Sequence, residues 1–422
     1  MNMQTAPAQQ LVDHLFRHES GKMIAVLTRI FGMHNMQMAE DVVQEAFLKA
    51  VQVWKFEIPN NPAGWLMQTA RNKAIDIIRR QQYYRQYSTE VAQQLITETE
   101  NTVEHFFSDN EISDSQLRMV FACCHPELNQ EDRIALTLKT VSGFGVAEIA
   151  RALVTNEAAV QKRLYRAKQF IRESSIQLEI PTGKDLQQRL DTVYTILYLL
   201  FNEGYNSLKA DELIRKDVCA EAMRLCLLLS QNKAGKQPAT FALLALMCLQ
   251  ASRFDSRLDA DNSIILLQHQ DRNKWNKQLA NMGYYYLNQS SKGEYLSVYH
   301  IESAIAAEHC LAANFGETNW LRLLELYNML LEIKRTPVVI LNRAVTLSRS
   351  GKPHEAIKEI MGLEEIDALL KSQYMYSAVL GDLYLTIADN DNAKKYLEMS
   401  MQLTTSEPEK KLLKEKIKML RF

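Results

Sequence analysis

The sequence predicts an all-α protein, and three features carry that prediction. Glycine and proline, the residues that most often interrupt a helix, number only 14 and 9 in 422 residues. The stretches between them are rich in Leu, Ala, Glu, Lys and Gln, side chains that lose little rotamer freedom in a helix. Apolar residues such as Val43, Phe47, Ala50 and Trp54 recur at helical spacing. At roughly 100–200 residues per domain, the length allows two to four domains.

The hydrophobic fraction of 47% and charged fraction of 23% are those of a globular soluble protein. No run of about 18 consecutive apolar residues occurs, so a membrane partner is not expected. Met1 to Gln10 lack the basic-then-apolar pattern of a secretory signal, and the expected location is the cytoplasm. The six cysteines, Cys123, Cys124, Cys219, Cys226, Cys248 and Cys310, form no Cys-x-x-Cys pair and no disulfide framework. Cys123-Cys124-His125 reads either as zinc ligands or as a helix end marked by His125 and Pro126. Adjacent cysteines point in different directions on a helix and chelate poorly, so no metal and no other cofactor is expected.

Helix signals run from near Leu11 to Gln82, with breaks at Gly32–Gln37 and Glu57–Pro62. In Met38–Trp54 the buried stripe leaves Asp41, Gln44, Glu45, Leu48 and Gln52 on the other side. Leu48 within an acidic face reads as a docking surface or as one stray apolar residue on a surface helix. In Pro62–Gln82, Met67, Ala70, Ala74 and Ile77 line one face, and Gln68, Arg71, Asn72, Lys73, Arg79 and Arg80 decorate the rest. A basic helix preceded by the polar loop Glu57–Asn61 suits contact with a nucleic-acid backbone and capture of an unstacked base. Trp65 at its start could stack on such a base, but a core position is favoured.

Charge is distributed in blocks. The net charge of −1 argues against a protein that coats nucleic acid unaided. Between Asn61 and Arg85, however, five basic residues (Arg71, Lys73, Arg79, Arg80 and Arg85) face one acid, Asp76. Between Ala158 and Arg172 lie Lys162, Arg163, Arg166, Lys168 and Arg172 and no acid. The connector from Gln86 to Leu117 carries Glu90, Glu98, Glu100, Glu104, Asp109, Glu111 and Asp114 and no Lys or Arg. Two basic helices joined by an acidic connector is a non-random arrangement.

Val146–Ile171 reads as a helix-turn-helix. A short helix turns Ile149, Ala150 and Leu153 inward, a turn follows at Val154-Thr155, and Thr155 or Asn156 caps a second helix. On that helix Val160, Leu164, Ala167 and Ile171 share one face, leaving Gln161, Lys162, Tyr165 and Arg166 available. An apolar anchoring face with polar side chains near the N-terminal half is what a recognition helix needs. A plain amphipathic helix with a solvated basic face has the same pattern.

Pro181-Thr182-Gly183 marks a domain boundary, after which the chain reads as helix after helix. Ala344, Leu347 and Ala356 recur as Gly381, Tyr384 and Ala393 at one offset of 37 residues. Small and aromatic residues there let paired helices approach closely, the logic of tetratricopeptide-type pairs. Asn202-Glu203-Gly204-Tyr205 and His300 are the candidates for an enzyme within 185–422. No nucleophile–base pair, phosphate loop or metal spacing accompanies them, so catalysis is not expected.

AEDVVQEAFLKA, WLMQTARNKAIDIIRR and a helix-turn-helix ending AAVQKRLYRAK, in this order, resemble the extracytoplasmic-function (ECF) RNA polymerase sigma factors. The first two motifs look like sigma region 2 and the third like region 4. The remainder resembles a subgroup with a long helical, tetratricopeptide-like extension, on the strings YLLFNEGYN, QDRNKWNKQL, AIAAEHC and TPVVILNRAVTLSRSGK.

The resemblance implies region 2 over 10–84, an acidic linker over 85–115, region 4 over 116–176 and a C-terminal helical domain over 182–422, with paired helices at about 300–405. It implies core RNA polymerase and promoter DNA as partners, with a protein partner for the C-terminal domain. Asp41, Gln44, Glu45 and Leu48 would then meet polymerase. Asn60 and Asn61 would capture a base of the minus-ten element, and Arg71, Asn72, Lys73, Arg79 and Arg80 would hold the strand. Gln161, Lys162, Tyr165 and Arg166 would read the minus-thirty-five element. Many family members carry glycine in the turn that Val154 and Thr155 occupy here. The competing reading is a helix-turn-helix regulator that acts without core polymerase.

Overall fold

The computed structural model describes residues 5–83, 101–153, 155–174, 176–205, 214–259, 263–293, 295–404, 406–418 and 420. Arg85, the part of the acidic connector with Glu90, Glu98 and Glu100, and Val154 of the turn lie outside the described residues. Among the described residues the regular structure is helical. The only extended pairing among the described residues is an isolated bridge between Leu258 and Ile264. No helix among them is long and apolar enough to cross a membrane. The chain divides into two units, residues 1–203 with 231–235, and residues 204–230 with 236–422.

The first unit opens with α1 (Thr5–Phe31), α2 (Met36–Val53) and α3 (Pro62–Tyr83). Gly32 ends α1 at φ 88°, a left-handed conformation that costs glycine little. Successive buried residues of α2, from Met36 through Val43 and Phe47 to Ala50, form its inner stripe. Phe16 of α1 meets Phe47 edge-on at 5.0 Å, and Trp54 meets Trp65 in the same manner at 5.5 Å. Trp65 is thus a half-buried packing residue at the base of α3. On α3 the fully buried positions are Leu66, Ala70 and Ala74, spaced by four; Met67, expected on that face, sits half-buried at its edge.

The acidic stretch resumes as helix over 101–106 and continues into α4 (Asp109–Cys123), which packs along α1. Arg29 of α1 fixes it, with Nη1 2.7 Å from Glu111 Oε2 and 3.1 Å from Asp114 Oδ2, and with its guanidinium 4.5 Å from the Phe106 ring centroid. The unit continues with α5 (Gln130–Thr140), α6 (Val146–Ala152), α7 (Glu157–Glu173) and α8 (Gly183–Tyr205). Pro181 lies two residues before the start of α8, and the division between units falls near the end of that helix.

The second unit is built around α10 (Pro238–Ala251), in which every residue from Ala242 to Leu249 is buried. α9 (Lys216–Gln231) precedes it, and α11 (Lys277–Ser290) and α12 (Val298–Leu311) pack against it. Two arginines cap helix C-termini, where carbonyls lack intrahelical donors. Arg257 Nη1 donates to Tyr205 O at 2.6 Å, and Arg272 Nη1 donates to His309 O at 2.7 Å and to Ala312 O.

Helical hairpins follow: α13 (Trp320–Ile333), α14 (Pro337–Arg349), α15 (Pro353–Met361), the short α16 (Ile366–Ser372), α17 (Tyr374–Thr386), α18 (Asn390–Leu403) and α19 (Glu407–Lys418). α14 and α17 begin at Pro337 and Tyr374, 37 residues apart, and α15 and α18 begin at Pro353 and Asn390, again 37 apart. Ala344 and Ala356 are fully buried, as is Ala393. Tyr384 stacks on Tyr396 with centroids 5.5 Å apart. A Cβ on Gly381 would lie 2.7 Å from Leu397 Cγ and 3.3 Å from Leu397 N, so α17 and α18 touch at a point that leaves no space for a side chain. Gly381→Val is expected to destabilise the C-terminal unit by about 1–3 kcal/mol through overpacking, read as a lower denaturant midpoint for that unit's transition.

Candidate promoter and polymerase interface

α6 and α7 form the helix-turn-helix. Glu148 Oε2 accepts from Gly145 N at 2.8 Å and so closes the start of α6. Asn156, rather than Thr155, caps α7, its Oδ1 accepting from Ala159 N at 2.9 Å. Val160, Leu164, Ala167 and Ile171 are the buried residues of α7, as their spacing predicts. With that stripe buried, Gln161, Lys162, Tyr165 and Arg166 are exposed, Tyr165 to 68%.

The four exposed residues are not equivalent. Arg166 makes a two-pronged ion pair with Asp132 of α5, Nη2 to Oδ1 at 2.7 Å and Nε to Oδ2 at 3.1 Å, and Asp132 is buried. That pairing raises the Arg166 pKa from its ordinary value. Beside it, Arg163 Nη2 lies 2.5 Å from Glu131 Oε2. Both acids lie in the first turn of α5, where the helix dipole favours negative charge. Arg166 therefore clamps α7 onto α5, while Gln161, Lys162 and Tyr165 project from the helix.

The expected polymerase face is laid out on α2 as the pattern predicts. Asp41, Gln44, Glu45 and Leu48 are all exposed, Leu48 to 62%, while Val42, Val43, Ala46 and Phe47 are buried between them. The neighbouring loop adds Phe56, which is 92% exposed and which periodicity alone did not single out because it lies outside any helix.

At the start of α3, Asn60 and Asn61 are exposed, but the two side chains differ in role. Asn61 Oδ1 accepts from Gly64 N at 2.9 Å and acts as the N-cap of α3. Along α3, Arg71 Nη1 pairs with Glu104 Oε1 at 3.0 Å and Lys73 Nζ with Glu45 Oε2 at 2.5 Å. Asn72 Oδ1 accepts from Gln68 Nε2 at 2.8 Å. Arg79 and Arg80 are exposed at the far end. A cavity between α2 and α3, about 230 Å³, is bordered by Glu45, Lys49, Asn72, Lys73 and Asp76, so the two faces adjoin.

Cys123, Cys124, His300 and Gly204 take part in packing or capping. Cys123 and Cys124 are buried against Thr140 and Thr137, and burial pushes each thiol up to about 12. His300 is a capping residue, its Nδ1 bonded to Ser297 N at 3.1 Å and its Nε2 3.3 Å from Ser290 O. Gly204 gives close approach to α9, since a Cβ there would meet Cys219 Sγ at 2.6 Å.

Comparison with known proteins agrees with this geometry. Residues 15–83 match the family described as Sigma-70 region 2, and residues 118–171 match Sigma-70, region 4. Residues 189–291 match a family of unknown function, DUF6596. The chain is 32% identical over 387 residues to the uncharacterized protein R00370 of Rhizobium meliloti, spanning 92% of this chain and 90% of that one. It is 25% identical to the RNA polymerase sigma factor CarQ of Myxococcus xanthus, over 42% of this chain and 96% of CarQ. It is likewise 25% identical to the ECF RNA polymerase sigma factor SigX of Bacillus subtilis, over 32% of this chain and 69% of SigX. No solved structure matches the chain.

The chain belongs to the extracytoplasmic-function sigma factors, with a long C-terminal helical extension, and functions in promoter-specific transcription initiation. Asn156→Ala is expected to lower the stability of the helix-turn-helix by about 1 kcal/mol, whereas Asn156→Asp, which keeps the acceptor, stays within a few tenths. Urea unfolding followed by circular dichroism measures both.

Proposed function

We propose that the protein docks on core RNA polymerase through the outer face of α2 and reads promoter DNA with two helices, α3 and α7. The observation that carries this reading is α7 itself. Its apolar stripe is fully buried, a buried carboxylate holds it from below, and Gln161, Lys162 and Tyr165 stand exposed near its N-terminal half. Gln and Lys there suit base edges and phosphate of the minus-thirty-five element. Arg166 positions the helix through Asp132 rather than serving first as a base reader.

In the minus-ten half, Asn60 and the loop before α3 take an unstacked base while Asn61 holds that loop to the helix. Arg71, Asn72, Lys73, Arg79 and Arg80 follow the strand backbone. Asp41, Gln44, Glu45 and Leu48 form the polymerase contact, an apolar anchor ringed by polar groups. The protein works in the cytoplasm by binding, without catalysis of its own. The region after 182 modulates output through a protein partner, with hairpins α14–α15 and α17–α18 as tetratricopeptide-like elements. The exposed apolar residues Leu321, Ile333 and Val338 on α13 and α14 support a docking role there.

Transcription by sigma-free core polymerase on a promoter library tests the whole reading, which fails if the protein gives no initiation above background. Leu48→Asp is expected to weaken core polymerase binding more than tenfold, measured by fluorescence anisotropy. Gln161→Ala is expected to cost about 1–3 kcal/mol of discrimination at one minus-thirty-five position and to leave core binding intact. Tight operator binding by the protein alone in a gel shift would instead favour a regulator that acts without polymerase.

A further inference from the structure

The strings QDRNKWNKQL and AIAAEHC, which include none of the promoter-reading residues, meet in the second unit. Arg272 of the first string reaches His309 of the second, its Nη1 donating to His309 O at 2.7 Å. Arg253 follows the end of α10. Both guanidinium groups approach one indole, that of Trp275. Cζ lies 5.4 Å from the ring centroid for Arg253 and 4.6 Å for Arg272. The two positive charges are therefore no more than about 10 Å apart.

No carboxylate answers either charge. Among the described residues neither arginine forms an ion pair. Asp271 Oδ1 accepts instead from Asn273 N at 3.0 Å, and Glu317 Oε1 from Asn314 Nδ2 at 2.6 Å. Elsewhere in the unit Arg224 Nε lies 2.8 Å from Glu221 Oε2, and Arg343 Nη1 lies 2.5 Å from Glu359 Oε2. Arg253 and Arg272 are both half-buried, where an unanswered charge is unfavourable. Their joint field is felt at His309. Burial, and then the two guanidinium groups, push its pKa down to about 4, so the ring is neutral at neutral pH.

The hydrogen-bonding capacity of the cluster is also unfilled. Arg272 Nη2 and Trp275 Nε1 are buried N–H donors without a partner, and His309 Nδ1 is buried without one. Trp275 as a whole is 8% exposed. A buried donor left unbonded loses its hydration for nothing, and such groups are rare in native proteins. On Arg253, Nε and Nη2 form the edge that matches a carboxylate or phosphate. Both lie 3.4 Å from Gln270 Oε1, which is also 3.4 Å from Ser256 Oγ. One neutral oxygen at long range thus serves three donors. A charge-assisted bond to the same edge would be about 2.7–2.9 Å long.

We propose that the C-terminal extension carries a binding site for a small oxyanion, a carboxylate or a phosphate, which replaces the Gln270 oxygen against the Nε–Nη2 edge of Arg253, with Arg272 and Trp275 supplying further N–H donors. Gln270 is otherwise held by one bond of ordinary length, from Nε2 to Ile265 O at 3.0 Å, so a side-chain rotation vacates the edge. The bound anion joins the end of α10, the 270–275 turn and the C-terminal end of α12. The site lies outside α2, α3 and α7, so it stands or falls independently of the promoter and polymerase contacts.

The full chain labelled with nitrogen-15 at its tryptophans reports the site directly, because Trp275 gives one of four indole N–H signals. Trp275→Phe assigns that signal. Inorganic phosphate and succinate are titrated separately, with ionic strength held constant by sodium chloride. At least one is expected to shift the Trp275 signal saturably, half-complete below about 10 mM, while Trp54 and Trp65 stay in place. The tighter of the two tells a phosphate site from a carboxylate site.

Arg253→Gln is expected to weaken that anion by about tenfold or more. Arg349→Gln, at an exposed arginine that stacks on Phe315 in the same unit, is expected to change it less than about twofold. Gln270→Glu places a carboxylate of the chain itself on the Arg253 edge. It is expected to weaken the anion by about tenfold and to raise the melting temperature, whereas Gln270→Ala retains binding. No saturable shift with either anion overturns the proposal, as does a shift that sodium chloride reproduces. An equal loss in Arg349→Gln, or unweakened binding in Gln270→Glu, overturns it too. Should Arg253→Gln fail to fold, Gln270→Glu, which keeps every arginine, decides the matter alone.

Discussion

Pairing of the two basic helices, α3 and α7, with carboxylates of their own neighbours is the interaction on which the first unit depends. Arg71 meets Glu104, Lys73 meets Glu45, Arg163 meets Glu131, Arg166 meets Asp132 and Lys168 meets Glu40. Where the carboxylate is exposed, as at Glu104, Glu45 and Glu131, such a pair contributes at most about 1 kcal/mol, so another anion can replace it without much loss. Pairing of this kind lowers affinity for arbitrary duplex, because a phosphate contact at a paired cation must first displace its internal partner. A net charge of −1 and two basic helices are compatible for this reason.

The pairs also divide by burial, and that division separates two jobs. Glu104 and Glu45 are well exposed, and their partners Arg71 and Lys73 are half-exposed. Asp132, Glu40 and Glu148 are buried, and their partners hold helices in place. Removing one member of a buried pair leaves an uncompensated charge, so these contacts specify geometry more than they tune affinity. The same logic runs through the second unit, where Arg257 and Arg272 complete helix C-termini.

Much of the fold was legible in the sequence because helices carry their evidence locally. Val160, Leu164, Ala167 and Ile171 announced a buried stripe by spacing alone, and the structure buries those four. The outward face of α2 was equally readable, since inner and outer positions alternate with the helical period. Legibility failed where a residue's role depends on a partner far along the chain. Asn61 reads as a base-capturing amide, yet its oxygen caps α3. Arg166 reads as a base reader, yet it is committed to an acid 34 residues away. Met67 reads as an inner-face residue by its spacing, yet Leu66 is the one fully buried and Met67 lies half-buried beside it.

The sequence by itself determined the all-helical class, the two basic helices and the acidic segment between them, because composition and period act within a few turns. Only the tertiary structure decided which cations face solvent and which are paired. It alone brought Gly21 against Val141, and Lys168 within reach of Glu40 from 128 residues away. Such approaches arise from how whole helices pack, and a backbone contact through glycine leaves no periodic signal in the chain to announce it.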